Sequence, residues 1–237
     1  MKNIARIGLL GIMLLSPIIA QAVPITITAT GKITSSSDDI NHFGLGTGSN
    51  TILDASITAT WSFDTDNWGY VSESPTSAHY QSTTNWVDST VNIDTSTIDI
   101  NFSVSDEVTD ADTFYDQVFL KDEDGSDPGL DRYFVVDHNS GPNGGVVSYA
   151  WIFSYLDNII TSLDVAQTLS WSADDFTTDI GTGHFRFFDS SAYAWGTYRL
   201  DTFTITSSSS VPEPSILLLL GLGLAGLGIK RRKSFKV

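Results

Sequence analysis

The chain has 237 residues and carries 12 Lys and Arg against 28 Asp and Glu, a formal net charge of −16. It contains no cysteine, which excludes disulfides, thiol nucleophiles and Cys-ligated zinc or iron–sulfur sites. Between residues 23 and 210, five basic residues stand against 27 acidic ones. This part, near −22, is expected to repel nucleic acid and anionic lipid, so neither is predicted as a partner.

The first 22 residues have the three parts of a secretory signal peptide. Two basic residues form a positive start, an apolar segment follows at 7–19, and Ala20 and Ala22 give the A-x-A cleavage pattern before Val23. The apolar segment is shorter than the roughly 20 residues of a membrane span. We therefore predict export by the Sec machinery and a mature protein that begins at Val23. The alternative is a buried N-terminal helix.

Residues 23–206 alternate apolar and polar side chains with the period of β-strands, and helical periodicity is nearly absent. The alternation predicts strands near 24–33, 57–63, 98–104, 113–120, 132–137, 147–155, 165–172, 183–188 and 202–206. Stretches rich in Gly, Asn and Asp predict turns at 44–50, 122–129, 139–145 and 181–183. This pattern predicts an all-β ectodomain, an antiparallel β-sandwich or jelly roll of two sheets, with a closed barrel as the alternative.

An acidic loop, DEDGSDPGLD at 122–131, holds the candidate metal ligands. The carboxylates that would supply hard oxygen ligands to Ca²⁺ are Asp122, Asp124, Asp127 and Asp131. The loop departs from the EF-hand pattern, since Asp127 replaces the required Gly and Tyr133 the required Glu. The alternative is a solvated hairpin loop without metal. No other cofactor is predicted.

Six tryptophans fall into two groups. Trp68, Trp86 and Trp195 lie in or near predicted turns and are candidates for stacking on sugar rings, with packing against the domain as the alternative. The others, Trp61, Trp151 and Trp171, lie within strand patterns and are predicted to belong to the core.

The sequence shows no catalytic motif. The four histidines are spread singly at His42, His79, His138 and His184, and no G-x-S-x-G elbow is present. The acidic residues are too many for any two to be singled out as a glycosidase pair. We therefore predict a non-enzymatic protein, with a secreted polysaccharide-acting hydrolase as the alternative.

The chain ends in a series of short segments. They are a Ser linker at 207–210, a Pro-Glu-Pro motif at 211–214, an uncharged span at 215–229, a basic cluster at 230–233 and a cytoplasmic end at 234–237. As one transmembrane helix, the span would measure roughly 22 Å, which is short for a hydrocarbon core of about 30 Å. The basic cluster predicts a stop to transfer at Lys230, Arg231, Arg232 and Lys233.

The order of VPEPS, a Gly- and Leu-rich span and KRRK resembles the PEP-CTERM sorting signal of Gram-negative bacteria. The resemblance implies that exosortase, a membrane transpeptidase, recognises Val211, Pro212, Glu213 and Pro214 and removes the tail. It also implies export across the inner membrane, a precursor anchored by its C-terminus, and a mature form at the cell surface or outside the cell. Both prolines fix φ and keep Glu213 extended, as a recognition site requires.

The same resemblance implies a link to exopolysaccharide and biofilm. We therefore expect an exported protein of the extracellular matrix or cell surface, and a glycan-binding domain is the more specific form of this expectation. A structural or adhesive matrix protein is a further alternative.

Overall fold

The computed structural model describes residues 23–104, 111, 113–122, 131–154, 159–175, 181–189 and 192–208. This part is all-β, and its 14 strands form one antiparallel sheet, which confirms the predicted class. The predicted signal peptide and C-terminal membrane helix lie outside the described residues. None of the described residues belongs to a helix with the length and hydropathy needed to cross a membrane.

The strands are β1 (Pro24–Asp38), β2 (Gly48–Ser49), β3 (Ser56–Asp64), β4 (Tyr70–Ser74), β5 (Ser77–Ser82), β6 (Asp88–Asp94), β7 (Asp99–Ser103), β8 (Thr113–Phe114), β9 (Asp116–Lys121), β10 (Asp131–Gly141), β11 (Gly144–Ser154), β12 (Leu169–Ser172), β13 (Gly181–Phe188) and β14 (Tyr193–Ser207). A short 3-10 helix, Ala173–Asp175, follows β12. The turn predicted at 181–183 is wrong, because these residues begin β13.

The sheet follows the order β4-β5-β9-β10-β11-β13-β14-β1-β3-β6-β7. The short strands β2, β8 and β12 pair with β1, β10 and β14. Two separate sheets were predicted, but the hydrogen-bonded path is continuous. The physical reason is the length of β1 and β14, which pair from Ile25–Ser207 to Asp38–Ala194 and so run through both halves of the domain.

A bend in these two strands divides the sheet into two layers. The register of β1 with β14 shifts between Thr30 and Gly31, and β14 changes partner from β13 to β12 after Arg199. Such bulges bend a strand and increase its twist. The first layer comprises β3, β6, β7 and β12, together with the start of β1 and residues 202–207 of β14. The second layer comprises β4, β5, β9, β10, β11 and β13, together with the end of β1 and the rest of β14.

The layers face each other across one apolar core. The Trp61 indole of β3 donates from Nε1 to the Ser148 carbonyl oxygen of β11 at 3.2 Å. Phe102 of β7 packs against Phe185 and Phe187 of β13, with ring centroids 5.6 and 4.5 Å apart. Strands that are distant in the sheet order therefore meet through their inward side chains, and the outward side chains form two separate outer faces.

Two glycines fix the register of β13 with β14. Gly183 lies opposite Tyr198, and Gly196 lies opposite Phe185. A Cβ at Gly183 would overlap the Tyr198 ring, and one at Gly196 would overlap the Phe185 ring. Each buried ring thus covers the glycine of the neighbouring strand, an arrangement that compensates for the missing side chain and rejects a shifted register.

A buried carboxylate joins the two layers at one end. Asp116 begins β9, and its Oδ2 accepts hydrogen bonds from the backbone N–H groups of Trp86 (2.6 Å) and Val87 (2.8 Å), just before β6. Its Oδ1 accepts from the N–H of His138 at 3.3 Å. Burial nevertheless raises the pKa of Asp116 to about 6, because desolvation outweighs these three hydrogen bonds.

A second buried carboxyl lies nearby. Asp137 faces inward from β10, directly opposite Ser148 of β11. Burial and then the charge of Asp116 raise the pKa of Asp137 to about 8. Asp137 is therefore protonated at neutral pH in the folded protein, and the core holds one neutral carboxyl beside one that ionises.

We predict that Gly183→Ala lowers the free energy of unfolding by about 1–3 kcal/mol, because the added methyl group displaces the Tyr198 ring. Urea unfolding measures the change. Gly69→Ala is the matched control, since a Cβ there meets no atom nearer than 3.7 Å. Equal stability of the two variants would contradict the proposed packing of Tyr198 on Gly183.

We also predict that Asp137→Asn reduces the pH dependence of stability. Both Asp116 and Asp137 titrate near 3.8 when unfolded and near 6 and 8 when folded, so their contribution to the free energy of unfolding falls as pH rises from about 4 to 8. Between its unfolded and folded pKa values, each carboxyl lowers the free energy of unfolding by at most about 1.4 kcal/mol per pH unit, because only its unfolded form ionises there.

Urea unfolding near pH 4, 6 and 8 tests this expectation. With Asn at position 137, most of the decline above pH 6 is expected to disappear, because Asp116 is already half ionised in the folded protein at pH 6 and nearly fully ionised about one pH unit higher. Asp94→Asn, at an exposed position of β6, is the control and retains the decline. A wild-type slope in Asp137→Asn would show that Asp137 does not carry the shifted pKa.

Candidate functional site

Rings cover the outer face of the second layer. We call this surface the aromatic face and define it by the half-buried outward side chains Phe119, Phe134, Tyr149, Trp151, Phe153, His184, Phe188 and Trp195. The register places Phe119, Phe134 and Trp151 side by side on three adjacent strands. Outer faces of antiparallel sheets are normally polar, so this surface departs from the usual pattern.

The rings contact one another from β10 to β14. Phe134 lies 5.8 Å from Tyr149, Tyr149 lies 5.2 Å from His184, and His184 lies 6.0 Å from Trp195, all between ring centroids. The His184 and Trp195 rings are stacked with an interplanar angle of 29°. The contacts form one connected series of ring faces and edges.

The series ends in an open groove of about 270 Å³ lined by His184, Arg186, Tyr193 and Trp195. Arg186 of β13 lies directly opposite Trp195 of β14. Its guanidinium lies 4.7 Å from the centroid of the Tyr193 ring and 5.7 Å from that of Phe188. These cation–π contacts hold the charge at the edge of the groove. The Tyr193 side chain is 41% exposed, so a ligand can reach it.

His184 contributes a neutral ring to this groove. Burial and then the positive charge of Arg186 lower the pKa of His184 to about 4. Its Nδ1 lies 3.2 Å from the Thr197 hydroxyl oxygen, a hydrogen bond whose direction depends on the tautomer. At neutral pH the groove therefore combines one fixed cation, Arg186, with uncharged aromatic and hydrogen-bonding groups.

The three candidate tryptophans for sugar stacking lie in different environments. Trp195 lines the groove. Trp68 is half-buried and stacks on Tyr80 at 4.3 Å. Trp86 is only 5% exposed and donates from Nε1 to the Asp64 carbonyl oxygen at 2.8 Å, so its proposed role on the surface is wrong. Trp86 is a core residue because its indole fills the junction beneath Phe63.

The tryptophans predicted as core residues also differ. Trp61 is fully buried. Trp171 is half-buried and packs against Phe203. Trp151 instead points outward, with Arg132 over its ring at 5.3 Å, because the smaller Ala150 and Ile152 occupy the inward positions of β11.

Half of the predicted calcium ligands can be placed. Asp131 begins β10 and is buried, and its Oδ2 accepts hydrogen bonds from the N–H groups of Ile159 (2.8 Å) and Ile160 (3.0 Å). Asp122 follows β9, and Asp124 and Asp127 lie outside the described residues. Within the described ranges, no group of three or more His, Asp or Glu side chains is arranged to hold a metal ion.

The two ends of the described domain lie side by side. The Val23 N–H donates to the Thr65 hydroxyl oxygen at 3.1 Å, and the Ser208 N–H donates to the Pro24 carbonyl oxygen at 3.1 Å. The predicted signal-cleavage residues Ala20 and Ala22, the sorting motif and the basic cluster lie outside the described residues. The chain therefore enters and leaves the domain at one end of the sheet.

Sequence analysis missed Arg186 and His184 as groove residues. The signal lies in FRFF at 185–188 and YAWGTYR at 193–199, where Gly196 marks the inward positions of β14. If the inward positions of β13 are Phe185 and Phe187, then His184 and Arg186 must face outward. The missing information was which strand pairs with which.

Comparison with known families identifies one segment. Residues 210–233 match the family model of the PEP-CTERM protein-sorting motif. No curated protein and no solved structure matches the chain. The motif implies export, a membrane-anchored precursor and processing by exosortase, a membrane transpeptidase. The chain thus carries a PEP-CTERM sorting signal and is an exported protein sorted by exosortase.

Proposed function

We propose that the exported domain is a non-enzymatic glycan-binding module of the cell surface or the extracellular polysaccharide matrix. The observation that carries the proposal is the groove of His184, Arg186, Tyr193 and Trp195, which continues into the aromatic face. The sorting signal supports it, because such a protein meets polysaccharide outside the cell.

The chemistry of the groove suits a sugar ring. The apolar C–H faces of a pyranose pack against aromatic rings, and its hydroxyl groups need directional polar partners. Trp195 and Tyr193 supply ring surface, while Arg186 supplies hydrogen-bond donors. Because neighbouring rings and strands already hold these rings in place, the protein loses little conformational entropy when a ligand stacks on them.

The place of the groove on β14 favours contact with an extracellular ligand. Trp195 lies near the start of the strand, and the sorting tail follows the end of the strand at Ser207. At about 3.3 Å per residue, these positions are up to roughly 40 Å apart along the strand. While the tail anchors the precursor, the groove thus lies at the far end of β14 from the membrane.

The described lining of the groove supports binding over hydrolysis. Glycosidases use two carboxyl groups on either side of the scissile bond. The groove residues are two aromatic side chains, an imidazole and a guanidinium. The closely spaced carboxyls Asp116 and Asp137 face the core. A polysaccharide-acting hydrolase and a purely structural or adhesive matrix protein remain the competing functions in the test below.

We predict that Trp195→Ala weakens glycan binding at least tenfold, because a central aromatic anchor contributes about 2 kcal/mol or more. Binding of the full-length protein to a glycan array and then by calorimetry measures this. Tyr193→Ala, at a more exposed position, is expected to weaken binding without loss of the fold.

Ile98→Ala is the control, since Ile98 is an exposed apolar residue in the turn between β6 and β7. Its binding is expected to match that of the wild type. Absence of any glycan binding by the wild type would refute the proposed function and favour a structural protein. Shortening of the bound glycan would favour the hydrolase.

We also predict that Pro212→Ala with Pro214→Ala leaves the tail uncut and the protein in the membrane fraction. Proline fixes φ and disfavours helical backbone at the residue before it, so alanine removes the local restriction around Glu213 on which the predicted recognition depends. Cell fractionation and the intact mass of the protein measure processing. Ser209→Ala with Ser210→Ala is the control in the adjacent linker, and normal release of the proline variant would exclude this recognition.

A further inference from the structure

The Lys and Arg residues of the exported domain lie on the outer face of the second layer or at its edge. The five Lys and Arg residues between 23 and 210 are Lys32, Lys121, Arg132, Arg186 and Arg199. Four of them project outward from β9, β10, β13 and β14, and Lys32 lies opposite Arg199 at the edge of β1. The formal net charge of the domain is near −22, and its few cations are nevertheless grouped on one surface.

Four of these cations face a like charge. The register places Lys121 opposite Arg132 and Lys32 opposite Arg199. Opposed residues on neighbouring antiparallel strands have Cβ atoms about 5 Å apart, and like charges at that distance destabilise the sheet. Arg199 lies 3.9 Å from the Asp201 carboxylate, and Lys32 donates to the Ser56 hydroxyl oxygen at 2.7 Å. A ligand carboxylate would add to these contacts.

The described strands of this face carry few carboxylates. The described outward positions of β5, β9, β10, β11 and β13 carry no Asp or Glu. Among the described residues, Asp122, Asp189 and Asp201 stand at the rim, and Asp201 lies 3.9 Å from Arg199. The outer face of the first layer, by contrast, presents Asp88 and Asp94 from β6.

Distance decides which charges a ligand experiences. Stacked sheets lie about 10 Å apart, and the Debye length is about 8 Å at physiological ionic strength. The carboxylates on the first layer are therefore largely screened from an anion at the aromatic face. The five cations extend over six adjacent strands, about 24 Å at 4.8 Å per strand.

At two places on this face, an arginine side chain lies over an aromatic ring. Arg132 lies over Trp151 at 5.3 Å, and Arg186 lies over Tyr193 at 4.7 Å. A sugar that bears a carboxylate needs both elements, a ring for its apolar face and a guanidinium for its charge. A nucleic acid also stacks on aromatic rings, but its much denser charge matches five widely spread cations poorly and is repelled by the acidic remainder.

We propose that the ligand is an acidic polysaccharide of the uronic-acid type, which lies across the aromatic face with a carboxylate on Arg186 and its ring on Trp195. The proposal rests on the proposed glycan-binding function and specifies its ligand. Further carboxylates along the polymer extend toward Arg132 on one side and Arg199 on the other.

The test compares polygalacturonate with its fully methyl-esterified form, which has the same backbone without the charges. Calorimetry with the full-length protein is expected to show at least tenfold weaker binding of the ester. Arg186→Gln is expected to weaken binding of the acid about tenfold and binding of the ester little, since it removes one charge-assisted contact.

Thr90→Asp is the matched control, because it lowers the net charge by the same single unit on the exposed outer face of β6. Binding of the acid by this variant is expected to match that of the wild type. Equal weakening by Arg186→Gln and Thr90→Asp would overturn the proposal in favour of a net-charge effect.

This experiment distinguishes a failure of the proposed glycan binding from a failure of the proposed acidic ligand. Equal binding of acid and ester, with loss of both in Trp195→Ala, would retain glycan binding and reject the acidic ligand. Binding of neither polymer would reject both for this sugar backbone, and an array that includes polymannuronate extends that test to another uronic acid. Single-stranded DNA or polyglutamate bound as tightly as polygalacturonate would also overturn the proposal.

Discussion

The pairing of β1 with β14 is the constraint on which the domain depends. These strands join the first and last described segments of the domain over 13 residue pairs, and each bends at the same point. At that bend a Cβ on Gly31 would overlap the Arg199 carbonyl group, so only glycine permits the approach of the two backbones. One sheet thereby supplies both layers of its own core. The same pairing holds the N-terminal end of the domain beside the start of the sorting tail, since Ser208 bonds to Pro24.

The two layers use this framework differently. The first layer follows the ordinary rule for an antiparallel sheet, with Ile25 and Ile27 inward and threonines outward in rows such as Thr204, Thr28 and Thr60. The second layer has apolar side chains on both sides. Its inward positions hold Gly183, Gly196 and Ala150 beside buried rings such as Phe185 and Tyr198. The outward rings Trp151 and Trp195 do not belong to this core. A ligand such as the glycan proposed above would account for large rings on this surface.

Much of the fold could be predicted because one-sided burial leaves a period-two pattern. The stretch 57–63 was predicted as a strand and forms β3, with Ile57 and Trp61 inward as the alternation requires. Strands β4, β5 and β6 were missed, since SAHYQS and DSTVNID present small or polar residues at most positions.

The site was harder to predict. In β11 the inward set is small and mixed, with Ser148, Ala150 and Ile152, whereas the outward set is large and aromatic, so alternation alone assigned Trp151 wrongly to the core. Only the partner strands, with Trp61 and Tyr133 already filling the interior, show that the small residues point inward.

The net charge of the domain did not reveal the cations on the aromatic face, for a related reason. A value near −22 describes the domain as seen from far away, where the 27 carboxylates dominate. A ligand in contact with a sheet experiences charges within about one Debye length, and there the register of the strands determines the field. The positions of Lys121, Arg132, Arg186 and Arg199 are separated by up to 78 residues in sequence and are adjacent only after β9, β10, β13 and β14 have paired. Composition averages over both outer faces, whereas the curled sheet separates them. An acidic exported domain can therefore carry a cationic aromatic surface, and the remaining carboxylates act against denser polyanions that the same surface would otherwise attract.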